Sequence, residues 1–144
     1  MIMKQLTGLQ LMQAMLNGDI PAPSITQTIP MKAIEVSEGA VTFEAHADDR
    51  HLNPMGGVHG GFAATVMDTV TACAVHSSLP AGVSYSTIDL NIKMVRPVPQ
   101  NQRLIAKGSL MNLSKSLGIS EGTLTTETGK LLATATATCL ILRP

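Results

Sequence analysis

Tryptophan is absent from this sequence, and Phe43, Phe62 and Tyr85 are its only aromatic residues. A surface that stacks nucleic-acid bases needs such rings, so that class of partner is excluded. Charge is equally scarce: ten Lys and Arg balance ten Asp and Glu, and charged residues make up 14% of the chain. No basic face is available to neutralise phosphates, which removes duplex nucleic acid as well. Cysteine is limited to Cys73 and Cys139, which share no CxxC spacing and sit in apolar segments. Both read as buried free thiols in a reducing, cytoplasmic setting rather than as a disulfide framework. Long apolar runs are missing too. Gln10 and Gln13 interrupt the N-terminal stretch and no small-residue cleavage site follows, so neither a signal peptide nor a membrane span is expected.

What is present is an apolar interior. At 144 residues, 44% of them apolar, the chain suits one domain over residues 1–144, long enough to bury about two thirds of its unfolded surface. The polar coat is thin for a monomer of this size, which implies that part of the surface lies in contacts between copies. A homodimer is expected, or a dimer of dimers.

The chain is organised around Asn53–Val75, where a Gly- and Pro-rich loop runs into a segment of Ala, Val, Met and Thr that reads as one long buried helix. Asp68 lies within that helix. A carboxylate buried without partners is costly, so it is either a satisfied core residue or a functional one. His59-Gly60-Gly61 stands at the expected helix start, where unpaired N–H groups carry about half a positive charge. Glycine there lets an anion, or a carbonyl oxygen becoming one, come close to the backbone at Gly60 and Gly61. The plain alternative is that the glycines only make the turn and His59 only caps it.

Elsewhere the chain reads as follows. Thr7 caps a short amphipathic helix that places Leu9, Met12, Met15 and Leu16 on one face and ends at Asn17-Gly18. Residues 24–38, with Pro30 inside, read as extended edge-strand pieces. Val41, Phe43 and Ala45 alternate with polar residues in a strand over 40–47. After the helix, residues 84–95 alternate as a strand with Ser86, Ile88, Leu90, Ile92 and Met94 on its apolar face, and three further strands over 104–113, 118–126 and 131–142 continue as a meander. The fold class is α+β: an antiparallel sheet of five to six strands curled around one long helix, with a short N-terminal helix. His46, His51 and His76 read as surface or turn residues, and no metal spacing links them to His59.

The set Asn53, Gly57, His59, Gly60, Gly61 and Asp68 resembles, with the same intervals, the signature of the hotdog-fold acyl-CoA thioesterases of the phenylacetate-pathway type. Ser86–Ile92, Arg96-Pro97 and Glu127–Ala133 are similar to further stretches of that family. The resemblance implies the hotdog fold, acyl-CoA as substrate and no separate cofactor, coenzyme A being part of the substrate. It also implies roles: Asp68 as base or nucleophile, the Gly60 N–H as the donor to the thioester carbonyl, Asn53 as the group that orients water or Asp68, and His59 near the sulfur. Thr87 stands where the family often has serine, with Ser86 as the alternative in register. Candidates for the coenzyme A phosphates are Arg50, Arg96, Lys115 and Ser116.

Geometry adds a constraint. Asp68 lies eight residues beyond Gly60, about 12 Å along a helix at 1.5 Å per residue, so one copy cannot put both on one carbonyl. Two antiparallel helices across a twofold axis can. Two rival readings stand beside this one: a hotdog-fold enoyl-CoA hydratase or dehydratase, and a non-catalytic acyl-CoA-binding dimer.

Overall fold

A computed structural model describes residues 2–144. Besides short 3-10 turns at Ile2–Gln5 and Asp49–His51, three α-helices and six strands follow in the order α1 (Gly8–Leu16), α2 (Ile25–Thr28), β1 (Met31–Ser37), β2 (Ala40–His46), α3 (Gly60–His76), β3 (Ser84–Met94), β4 (Arg103–Leu113), β5 (Leu117–Thr126) and β6 (Leu131–Leu142). The strands form one antiparallel sheet in the order β1-β2-β4-β5-β6-β3, and α3 packs across its inner side against β2 to β6.

The close seat of α3 follows from small residues beneath it. Gly108 of β4 pairs directly with Gly122 of β5, and Gly122 pairs with Ala135 of β6. A Cβ built on Gly108 would fall 2.0 Å from the Val70 carbonyl oxygen, and one on Gly118 would fall 2.6 Å from Val75 Cγ1. Ala133, Ala135, Ala137 and Cys139 complete this floor and are buried, while the alternating threonines of β6 are less enclosed. Onto it the helix lays Phe62, Ala63, Val66, Met67, Val70, Ala74 and Val75, all buried at helical spacing. Fully burying a side chain such as Phe62 or Met67 contributes about 1.5–3 kcal/mol. The threonines of α3 satisfy themselves on the preceding turn: Thr65 donates to the Gly61 carbonyl and Thr69 to that of Thr65, both at 2.9 Å, and Thr71 to that of Met67 at 2.7 Å. Ser120 of β5 adds a buried bond to the Thr71 carbonyl at 2.9 Å.

The N-terminal helix forms as its sequence requires. Thr7 Oγ1 accepts from the Gln10 N–H at 3.1 Å while Gln10 Oε1 accepts from the Thr7 N–H at 2.9 Å, a reciprocal cap. Of the apolar face expected there, Met12 is buried and Leu16 is 38% exposed. Gly8 docks on the end of α3, donating to the Leu79 carbonyl at 3.0 Å.

Four expectations need correction. Residues 25–28 form a helical turn, not extended chain, and only 31–37 make the edge strand β1. The last four strands are not a simple meander: β3 crosses to the far edge and pairs with β6, while β4 inserts between β2 and β5. The apolar face of β3 is not continuous either. A bulge between Thr87 and Asp89 shifts the register, so Tyr85 and Thr87 face inward before it and Leu90 and Ile92 after it, leaving Ser86 and Ile88 exposed. An extra residue in one strand exchanges the two faces, which a period-two count cannot detect. Finally, His51 is buried, 7% exposed, rather than on the surface.

Gly108→Ala is expected to destabilise the fold by about 1–3 kcal/mol or more, because the added methyl meets backbone rather than a mobile side chain. Lys107→Ala, at the exposed neighbouring position, should change stability by less than about 0.5 kcal/mol. Urea titration of both variants checks this.

Candidate active site

The loop before α3 is held by its own side chains. Asn53 Oδ1 accepts from the N–H groups of Met55 at 2.9 Å and Gly57 at 3.2 Å, and the Asn53 N–H donates to the Gly57 carbonyl at 2.8 Å. Asn53 is thus the clasp of this turn, with its amide oxygen already engaged. Gly56 supplies the left-handed residue the turn needs, at φ +84°.

His51 is the functional-loop residue that sequence reasoning missed. Its Nδ1 accepts from the Asp48 N–H at 3.0 Å, so its Nε2 carries the proton and donates to the Thr28 carbonyl at 2.8 Å. Its ring packs 5.3 Å from that of Phe62, and its carbonyl accepts from the His59 N–H at 2.7 Å. The start of α3 is therefore tied to α2 and to the loop through one side chain. The signal was in the sequence as the Asp48-x-x-His51 capping spacing. Asp48 also binds the Arg50 guanidinium through two hydrogen bonds, at 2.9 and 2.8 Å, and the guanidinium holds that carboxyl well below the usual carboxylate range.

At the helix start His59 is the N-cap, its Nδ1 accepting from the Gly61 N–H at 2.8 Å. That bond leaves the proton on Nε2 of an exposed ring. Among the described residues nothing accepts from the Gly60 N–H. The thioether of Met94 lies over this position, where a Cβ on Gly60 would sit 2.8 Å from Sδ. Two turns further on, Asp68 has a buried carboxylate oxygen, Oδ1, with no hydrogen-bond partner among the described residues.

The sulfur and phenol groups around Asp68 are held protonated. Burial, with the Asp68 charge adding to it, pushes the Cys73 thiol up to about 12. Burial first, and then the neighbouring groups including Asp68, raises Tyr85. Cys139 is raised in the same way, by burial and Asp68, against a lowering hydrogen bond from Thr87. Neither cysteine is paired. Thr87 is half-buried, its Oγ1 3.7 Å from Cys139 Sγ on the inner side of β3, whereas Ser86 faces out.

The expected phosphate-binding residues do not converge within one protomer. Arg50 is engaged with Asp48, and Arg96 donates to the Leu131 carbonyl at 2.8 Å near the Met94 end of the sheet. Lys115 and Ser116 lie in the turn between β4 and β5, the opposite end of strands about 33 Å long. A cleft of about 560 Å³ opens beside His59 and Gly61, with Arg50, His51 and Phe62 in its wall. No helix is long and apolar enough to cross a membrane among the described residues.

A single helix wrapped by a six-stranded antiparallel sheet, entered through a His-Gly-Gly turn with an acidic residue two turns on, defines the hotdog thioesterase class. The chain belongs to the thioesterase superfamily: that family's model matches residues 55–133. Among solved structures it is similar to a phenylacetic acid degradation-related protein of Ralstonia eutropha JMP134, at 35% identity over 90% of this chain and 98% of that one, with a TM-score of 0.81. Human acyl-coenzyme A thioesterase 13 is 27% identical over 101 residues, 69% of this chain and 71% of that protein. A Halobacterium salinarum protein named as an esterase is 43% identical over 68 residues, 46% of this chain; the match spans 44% of that protein's length.

Because His59 caps α3, His59→Ala is expected to cost about 1 kcal/mol of stability, and His59→Asn, which keeps an acceptor at the cap, should recover most of it. Thermal melts of the two variants test this separately from any effect on turnover.

Proposed function

We propose that the chain hydrolyses the thioester of a small or medium acyl-CoA, aromatic acyl groups included, in a site shared by two copies. The observation that carries the reading is the buried, unpartnered Oδ1 of Asp68, found in a chain whose α3 also begins with an unengaged Gly60 N–H. Leaving a buried acceptor unpaired costs about 1–3 kcal/mol, a cost offset when the group serves as a base or nucleophile. The human relative's name, an acyl-coenzyme A thioesterase, supports the substrate class.

In this reading the Gly60 N–H of one copy polarises the thioester carbonyl, aided by the positive end of α3. Asp68 of the other copy takes a proton from water as the water oxygen bonds to the acyl carbon, or attacks that carbon itself. The C–S bond then breaks. On the water path the thiolate of coenzyme A takes the proton held by Asp68, and on the direct path it takes one from the water that then cleaves the acyl–Asp68 anhydride. The Nε2–H that the His59 cap leaves free donates a hydrogen bond to the departing sulfur. Asn53 contributes through its amide NH₂, since its oxygen is engaged. Thr87 serves as the hydroxyl on the inner side of β3, and Gly61 and the flanking Ser86 border the substrate path. Arg50, Arg96, Lys115 and Ser116 are the proposed phosphate contacts, drawn from both copies.

The requirement for two copies finds support in the sheet edge. Strand β3 is eleven residues long and lies at the end of the sheet order, with Ile88 57% and Met94 56% exposed, and Val95 just past its end 47% exposed. A long exposed edge with apolar side chains is a template for pairing, and its own copy across a twofold axis would set the two α3 helices antiparallel.

Asp68→Asn is expected to fold normally and to lose about a hundredfold or more in kcat; wild-type turnover in this variant would remove Asp68 from the mechanism. A heterodimer of Asp68→Asn with Gly60→Pro should regain about half of wild-type activity, because one of its two sites carries no lesion while the other carries both. The added Cβ meets only the mobile thioether of Met94, His59 already holds the extended backbone that suits a residue before proline, and circular dichroism checks that the variant folds. Activity at the background of the two parents would refute the shared site.

A further inference from the structure

We propose that the partly enclosed cavity between α1, β1 and α3 is the pocket for the acyl group, which rests on the thioesterase reading above. Its volume is about 160 Å³, and its walls include Met12, Met15 and Leu16 of α1, Phe43 of β2, and Thr69 and Cys73 of α3. The larger clefts have a different chemistry: one of about 960 Å³ is lined by Arg96, Arg103, Glu127 and Lys130, another of about 550 Å³ by Lys93, Lys107 and Glu121. An apolar tail belongs in the first and a phosphorylated carrier in clefts of the second kind.

The place of the cavity links it to the chemistry. Thr69 follows Asp68 in the chain, so the wall begins one residue from the proposed base, on the same helix. Its hydroxyl is already engaged with the Thr65 carbonyl at 2.9 Å, and Cys73 stands one turn further along. The thiol of Cys73 is held protonated by burial, so neither residue offers the cavity a free charge. At the rim, Lys32 is paired with Glu44 at 3.2 Å.

Volume then sets the substrate. An apolar cavity of about 150 Å³ takes one benzene ring, so a phenyl group or a chain of about six carbons fits, and longer chains need the walls to move. Three of those walls are Met12, Met15 and Leu16, and methionine is the side chain best able to yield.

The test is a series of straight-chain acyl-CoA substrates from acetyl to decanoyl, with phenylacetyl-CoA added, read as kcat/KM. Wild-type protein should prefer chains of about six carbons and phenylacetyl. Thr69→Leu, which fills the cavity, should lower kcat/KM for hexanoyl- and phenylacetyl-CoA about tenfold or more while acetyl-CoA stays within about twofold. Met15→Ala should move the optimum toward longer chains. Thr69→Val, which removes the hydroxyl without adding volume, should keep the wild-type order of preference among chain lengths. An equal loss at every chain length in Thr69→Leu, or the same loss in Thr69→Val, would overturn the assignment. Binding of the matching non-hydrolysable thioethers, measured by calorimetry, separates pocket from chemistry. If wild type cleaves no acyl-CoA yet binds hexyl thioether more tightly than ethyl, and Thr69→Leu abolishes that preference, the pocket stands and the thioesterase reading falls. Binding indifferent to chain length overturns the pocket whatever the activity.

Discussion

The structure depends on how closely α3 lies on its sheet. Interiors pack densely and cannot yield by even one methyl group without strain, and here the helix backbone itself meets the strands at Gly108. That contact leaves little freedom for α3 to slide or rotate. Its N-terminus, with the Gly60 donor, and Asp68 two turns later are therefore held at set heights above the sheet. The glycine and alanine floor and the bulky Phe62, Met67 and Val70 above it are one choice: small residues on the strands make room for large ones on the helix.

A consequence is that the two candidate groups, the Gly60 N–H and the Asp68 carboxylate, are rigidly held but separated. Moving Asp68 nearer to Gly60 along the helix would have to obey the helical rise, and a neighbouring turn would place the carboxylate against the same chain's donors, where it would be paired and inert. Separation by two turns leaves both groups unsatisfied among the described residues. This is a costly arrangement in a free chain, and one that a second copy and a substrate would relieve. The loop adds its own fixation: Asn53 closes the turn, and His51 joins that loop to α2 and to the first turn of α3.

Surroundings of opposite character meet at this helix. Beyond Asp68, toward the C-terminal half of α3, lie groups kept neutral by burial, Cys73 and Tyr85 among them. Toward the loop lie Arg50, Asp48 and the exposed ring of His59. A carboxylate between an apolar wall and a polar mouth has the setting that thioester cleavage calls for, since the acyl group and the phosphorylated carrier differ in the same way.

Much of this was legible in the sequence. The capping box at Thr7 and the 3.6-residue pattern of α3 depend on neighbours in the chain, so local residues decided them, as did the strand over 40–46. The Asn53 to Asp68 spacing likewise defined the candidate site before any contact was known. Tertiary structure alone decided the rest. Strand order is a choice between distant partners of similar β propensity, and β3 pairs with β6 because the helix carries the chain to that edge. The β3 bulge exchanges two faces without leaving a mark on composition. It thereby distinguishes Thr87, turned inward, from Ser86, turned out. His51 looked like a turn residue because its partners, Thr28 and Phe62, are remote in sequence, and burial of a polar ring becomes affordable only when folding brings those partners to it.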